Sequence, residues 1–344
     1  MQTELTSPSP LLTPQGTLAQ VGWSRQPLLD CNLEQARFYA LRPLQRFRIK
    51  RWDYYAIFTP HNFFSATIAD LGYAGNIFVY NLDFATGELH EEGIVAPLGL
   101  GVRLPRDSRS GETSFANKAL SLRFVAEAGQ RHLFVDWPAY HNGRGVKAEI
   151  SLACPPEHQS MTIVIPIPPK RFYYNRKINN LPASGYITYN GQRQELDPAQ
   201  SLGSLDWGRG VWDYRSFWNW ASASGFLPDG RRIGLNLGCG FGDLSQATEN
   251  AIIIDGTLHK LDLVPFDYTP GQYMRPWRFK DNQGRLDLTF TPFKERIAAT
   301  DLGPIHSKVH QMFGRYAGRA VLDTGETIEI QDLVGFAEEH HAAW

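Results

Sequence analysis

Residues 207–220 read WGRGVWDYRSFWNW and hold four of the nine tryptophans in the chain. Trp212, Tyr214, Ser216, Trp218, Trp220 and Ser222 fall on one face of an extended segment. Asp213, Arg215, Phe217, Asn219 and Ala221 fall on the other, and this two-residue period predicts a strand. A large ring hides roughly 150–250 Å² when buried. Trp218 and Trp220 left in water would therefore approach the largest apolar patch usual for a monomer, about 300–600 Å². The tryptophan face is core or the wall of a binding cavity.

Working outward, turn signals recur through the chain. Asn190-Gly191, Asp255-Gly256, the 281–284 stretch and the 323–325 stretch each separate two short apolar or aromatic runs. Asn-Gly and Asp-Gly supply the positive φ that tight hairpins need, so each predicts a β-hairpin. Further strands are expected at 52–59, 65–70, 76–83, 131–135, 147–153 and 161–166. Helical periodicity is confined to 33–41 and 244–251. The expectation is an all-β, antiparallel protein of the barrel or sandwich type. Arg51-Trp52-Asp53-Tyr54-Tyr55 is echoed by Val211-Trp212-Asp213-Tyr214-Arg215 about half a chain later, which predicts two similar β-domains. With the junction in the polar 192–204 stretch, the expected division is a flexible segment at 1–20, a first β-domain at 21–200 and a second at 201–344.

Composition removes several function classes. The net charge is −1 over 344 residues, and the one basic cluster, Arg46, Arg48, Lys50 and Arg51, is interrupted by Phe47 and Ile49. Nucleic acid is therefore not an expected partner. No apolar run approaches the ~20 residues of a membrane span, and the first residues lack the blocks of a signal peptide, so a cytoplasmic location is expected. Cys31, Cys154 and Cys239 suit neither a disulfide framework nor a zinc motif. Phosphate loop, nucleophile elbow and dinucleotide fingerprint are missing, so neither metal nor cofactor is expected.

The stretch 232–240 is unusual. Ile233, Leu235, Leu237 and Cys239 share one face, while the other carries Gly234, Asn236, Gly238 and Gly240. Glycine in a strand marks close approach by a ligand or by another part of the chain. Two readings are open: a cavity floor whose one polar side chain is Asn236, or a place where neighbouring strands cross closely.

With DWGRGVW at 206–212, FWNWASASG at 217–225, IGLNLGCGFGD at 233–243 and the ending GFAEEHHAAW at 335–344, the chain resembles the bacterial family called domain of unknown function 2804. More distantly, its layout is similar to the lipocalin-like superfamily of carotenoid hydratases and tocopherol cyclases. That resemblance implies two lipocalin-like barrels or sandwiches and cofactor-free acid/base chemistry on apolar substrates. It carries over no catalytic residue.

Candidate acids follow from proximity to these segments: Glu249, Asp206, Asp213 and Glu338. Glu249 is favoured because no neighbour in sequence holds it ionised, whereas Arg209 follows Asp206 and Arg215 follows Asp213. Arg209, Trp212, Tyr214, Trp218, Trp220, Asn236 and Asn250 are the candidate binding residues, with the pocket expected in the second half. Three functions fit: a hydratase, cyclase or isomerase acting on a hydrophobic small molecule; a non-catalytic carrier of a lipid-like ligand; or a carbohydrate-active enzyme using two carboxylates and a tryptophan platform.

Overall fold

The computed structural model describes residues 2–344. Two curled antiparallel sheets dominate it, one of thirteen strands and one of nine. In the first, the Leu89–Pro97, Ala74–Asp83, Asn62–Asp70 and Lys50–Phe58 strands form a meander beside Leu202–Val211, which pairs in turn with Arg171–Tyr189. In the second, Thr257–Lys260, Ala251–Ile254, Arg232–Cys239 and Arg215–Phe226 form a meander beside the long Thr327–Ala343 strand. Each sheet thus places the first strand of its meander next to its own last long strand. Trp52 and Trp212, the two echoed tryptophans, pack on each other at 5.1 Å.

The hairpins form as expected. Asn190, Gly191, Asp255 and Gly256 all take positive φ, and each pair joins antiparallel neighbours. The 281–284 and 323–325 turns also connect paired strands. The helical expectations fail. The 33–41 stretch holds one 3-10 turn, Leu33–Gln35. The 244–251 stretch is irregular and runs into the Ala251–Ile254 strand. Its apolar Leu244, Ala247 and Ala251 pack between the sheets with Trp23, Ile163 and Trp212, so tertiary packing, not helical period, set their spacing.

Stretch 202–211 is a central strand buried along its whole length. Its glycines answer to packing: a Cβ on Gly208 would lie 2.2 Å from the Trp52 ring. The change from first to second sheet falls between Val211 and Arg215, past the expected 192–204 junction. The leading segment, for which flexibility was expected, lies against the body. Leu5, Leu11 and Leu12 are buried, and the Thr3 amide donates to the Gln246 carbonyl at 2.7 Å. Ser9–Pro10 pairs with Leu29–Asp30 in a small parallel sheet.

Alternation sorts side chains to three places. Tyr55, Ile57, Leu205 and Trp207 fill the first barrel. Ala221, Ala223, Leu235 and Leu237 fill the second. The intervening positions, among them Tyr54, Ala56, Trp220 and Phe336, meet between the two sheets. No helix among the described residues is long and apolar enough to cross a membrane.

Candidate active site

The inter-sheet layer carries charge. On the first sheet, Tyr54, Asp206 and Lys177 stand directly opposite one another on three adjacent strands. On the second, Arg296, Gln311, Glu338, Trp220 and Gly238 are successive cross-strand partners. The two rows face each other.

At their meeting point the Lys177 ammonium lies 2.9 Å from Asp206 and 3.9 Å from Glu249. It also sits 3.9 Å above the centroid of the Trp220 ring, a cation–π geometry. Lys177, Asp206 and Glu249 are 4%, 7% and 2% exposed, and buried charges persist only when paired. Asn175 donates to the other oxygen of Asp206 at 2.6 Å. The Trp220 indole N–H donates to Asn236 at 2.8 Å, and the Asn236 amide donates to the Glu249 carbonyl at 2.7 Å. One carboxylate oxygen of Glu249, Oε2, has no hydrogen-bond partner. Burial raises the Glu249 pKa, outweighing the opposing pull of Lys177. The carboxylate singled out in the sequence for having no cation nearby thus has one beside it in space, Lys177 from another strand.

The glycine face of 232–239 is filled rather than open. A Cβ on Gly238 would lie 1.9 Å from Glu249, and one on Gly234 would lie 2.4 Å from Asn179. Asn179 reaches there because Arg171–Tyr189 bulges between Ile178 and Leu181, with Asn180 at φ 54°. Bulges re-aim side chains in this way. From the bulge, Asn179 donates to Ser222 at 2.9 Å, and Asn180 donates to the Ile253 carbonyl at 2.8 Å. The remaining cleft, lined by Tyr54, Lys177, Asn179, Asp206, Trp220 and Asn236, is too narrow to seat a water.

A second polar chain adjoins it. The Tyr54 and Tyr80 hydroxyls are 2.7 Å apart, Tyr80 donates to Gln311 at 3.1 Å, and Gln311 donates to Glu338 at 3.0 Å. Burial pushes the Glu338 carboxyl up to about 7, against the pull of Arg296 and Lys177.

The structure therefore gathers Asp206, Glu249, Trp220 and Asn236, with Glu338 alongside. It does so between the sheets, because the second sheet turns its apolar face inward and its glycine face toward the first. Other candidates lie elsewhere. Arg209 does not pair with Asp206: three residues apart on a strand, they point to opposite faces. Arg209 is buried against Asp53 at 2.9 Å and stacks over Trp207 at 4.1 Å. Asp213 is exposed and paired with Arg171, and Tyr214 is exposed and donates to the Pro304 carbonyl. Trp212 packs among Trp52, Tyr173 and Trp344. Trp218 faces the inter-sheet layer but packs on His340 and Trp344. Asn250 accepts the Gly238 amide and donates to the Asp262 carbonyl, a brace behind Glu249.

Sequence reading missed Lys177, Asn175, Asn179, Tyr54 and Gln311. The one signal was NRKINN at 175–180, a polar run inside an apolar strand. Among the described residues, no group of three potential ligands could hold a metal ion.

No curated protein sequence matches the chain. Its fold is shared with solved structures of low identity. A crystal structure of CghA aligns over 86% of this chain and 88% of its own at 10% identity, with a TM-score of 0.54. The complex of CghA with Sch210972 aligns over the same shares, at 10% identity and a TM-score of 0.53. A putative AttH from Nitrosomonas europaea aligns over 86% of this chain and 93% of its own, at 15% identity and a TM-score of 0.52. These likenesses concern architecture. In sequence, the family model described as Domain of unknown function (DUF2804) matches residues 2–344, and the chain belongs to that family.

Proposed function

We propose that the inter-sheet cleft is the active site of a cofactor-free hydratase, cyclase or isomerase acting on a hydrophobic small molecule. The observation that carries this reading is Glu249: a fully buried carboxyl, its pKa raised by burial, with one oxygen left without a hydrogen-bond partner. Burial favours the protonated form of such a group, which can deliver its proton to the carbon of an enolate or of a carbonyl-conjugated C=C. Lys177, paired with Asp206 at 2.9 Å, supplies positive charge for a developing enolate oxygen. Because that ammonium already covers the Trp220 ring, the indole holds Lys177 in place rather than facing a cationic substrate. The likeness to a fold seen with a bound small molecule in CghA supports a ligand site. Substrate entry requires the side chains lining the narrow cleft to rotate aside. The carbohydrate reading has less support, since Asp206 and Glu249 share one ammonium instead of flanking a sugar subsite.

The test begins with mass spectrometry of whatever co-purifies with the native protein. The identified compound is then incubated with enzyme in D2O. Deuterium gained at carbon, reduced at least ~10²-fold in Glu249→Gln with binding retained, is the expected result. Binding without any deuterium gain would make the protein a carrier. Full labelling by Glu249→Gln would remove Glu249 from the reaction.

A further inference from the structure

A separate cavity of about 630 Å³ opens at one end of the first barrel, within the size range of small-molecule sites. Its apolar lining includes Pro10, Leu28, Leu29, Cys31, Tyr174 and Trp207. Trp207 is 2% exposed, yet its indole N–H has no acceptor. A buried donor left unpaired is costly and calls for an explanation. The Tyr174 hydroxyl gives no help, because it donates to the Leu29 carbonyl at 3.1 Å.

Charge around the cavity is unbalanced. At the rim, Arg106 is paired with Asp30 and Glu34, and Arg109 with Asp107. Ser108 lies between these rim residues, and its carbonyl accepts from two more arginines, Arg131 at 2.6 Å and Arg176 at 3.1 Å. Both are 4% exposed. Arg131 also donates to the Tyr55 hydroxyl, and Arg176 to the Ser160 and Ser108 hydroxyls, and neither makes an ion pair among the described residues. Two buried guanidiniums without counter-ions thus sit behind the cavity wall, where low dielectric strengthens their field.

We propose that this cavity binds an amphipathic carboxylic acid, its hydrocarbon body against Leu28, Leu29 and Tyr174 and an oxygen on the Trp207 N–H. The negative charge offsets Arg131 and Arg176. The site is independent of the inter-sheet cleft and of any catalysis there.

Decanoate is the probe. In the 15N-labelled protein, the indole resonance absent from Trp207→Phe identifies Trp207, and it should shift as decanoate is added. Calorimetry should show decanoate bound about ten- to a hundredfold more weakly by Trp207→Phe, the loss of one hydrogen bond to a charged group. Leu28→Trp, at a half-buried lining position, should crowd the contact with the hydrocarbon body and weaken decanoate binding while the melting midpoint stays near that of the native chain. An unmoved Trp207 resonance at saturating decanoate overturns the proposal. So does undiminished decanoate binding by folded Leu28→Trp, or binding of 1-decanol as tight as that of decanoate.

Discussion

Glu249 occupies the space that a side chain on Gly238 would need: a Cβ there would meet its carboxylate oxygen at 1.9 Å. The glycine therefore serves the acid directly. It also explains how a carboxylate enters a layer between two sheets without forcing them apart.

Gly238→Ala is accordingly expected to destabilise the fold by about 1–3 kcal/mol, the usual penalty for overpacking. Most of that penalty should vanish in a Glu249→Ala background, because the clash is with one side chain. Denaturant unfolding of the two single variants and the double variant closes the cycle. Strictly additive effects would mean that the clash lies with the backbone instead.

Lys177→Met leaves Asp206 and Glu249 facing each other with no ammonium between them. Breaking a buried pair in this way costs about 3–5 kcal/mol. The loss, measured at pH 8 and at pH 5, should be smaller at the lower pH, because burial favours protonation of Glu249. A loss of the same size at both pH values would show that Lys177 acts only through packing on Trp220.

Glu338 carries a pH signature of its own. Its pKa rises from 4.5 in the unfolded chain to about 7 in the fold. Between those values the folded state keeps a proton that the unfolded state has lost. The carboxyl's contribution is thus complete below about pH 4.5 and lost as pH rises through 7, by up to about 3 kcal/mol. Unfolding midpoints of native protein and Glu338→Gln, compared from pH 5 to 8, should differ in slope. Parallel curves would argue that this carboxyl is ionised throughout.

Trp212 and Tyr214 share a face in the sequence pattern but not a fate in the fold. Trp212 is 4% exposed and Tyr214 is 43% exposed. Trp212→Ala should cost about 3–5 kcal/mol, as for a core aromatic. Tyr214→Phe should stay within about 0.5 kcal/mol, as for a surface change. Melting curves separate the two, and comparable losses would place Tyr214 in the core.

What the sequence determined by itself was local. Alternation at 212–222 marked a strand with Trp218 and Trp220 on one face, because side-chain direction along a strand depends only on parity. Asn190-Gly191 and Asp255-Gly256 marked hairpins, because positive φ is a property of the residues in the turn. The glycine face at 232–240 announced a close approach, and Glu249 stood out as a carboxylate with no cation beside it in the chain. The tertiary structure decided everything that depends on which strands become neighbours. Asp206 was matched to Arg209 from proximity along the chain, yet three residues along a strand reverse the face, and the partner is Lys177 on the adjacent strand. The occupants of the glycine face, Glu249 and Asn179, come from elsewhere in the chain, Asn179 through a bulge in the facing sheet. Pairing across a sheet and packing between sheets are set by register and by burial summed over the whole molecule, which no stretch of residues contains alone.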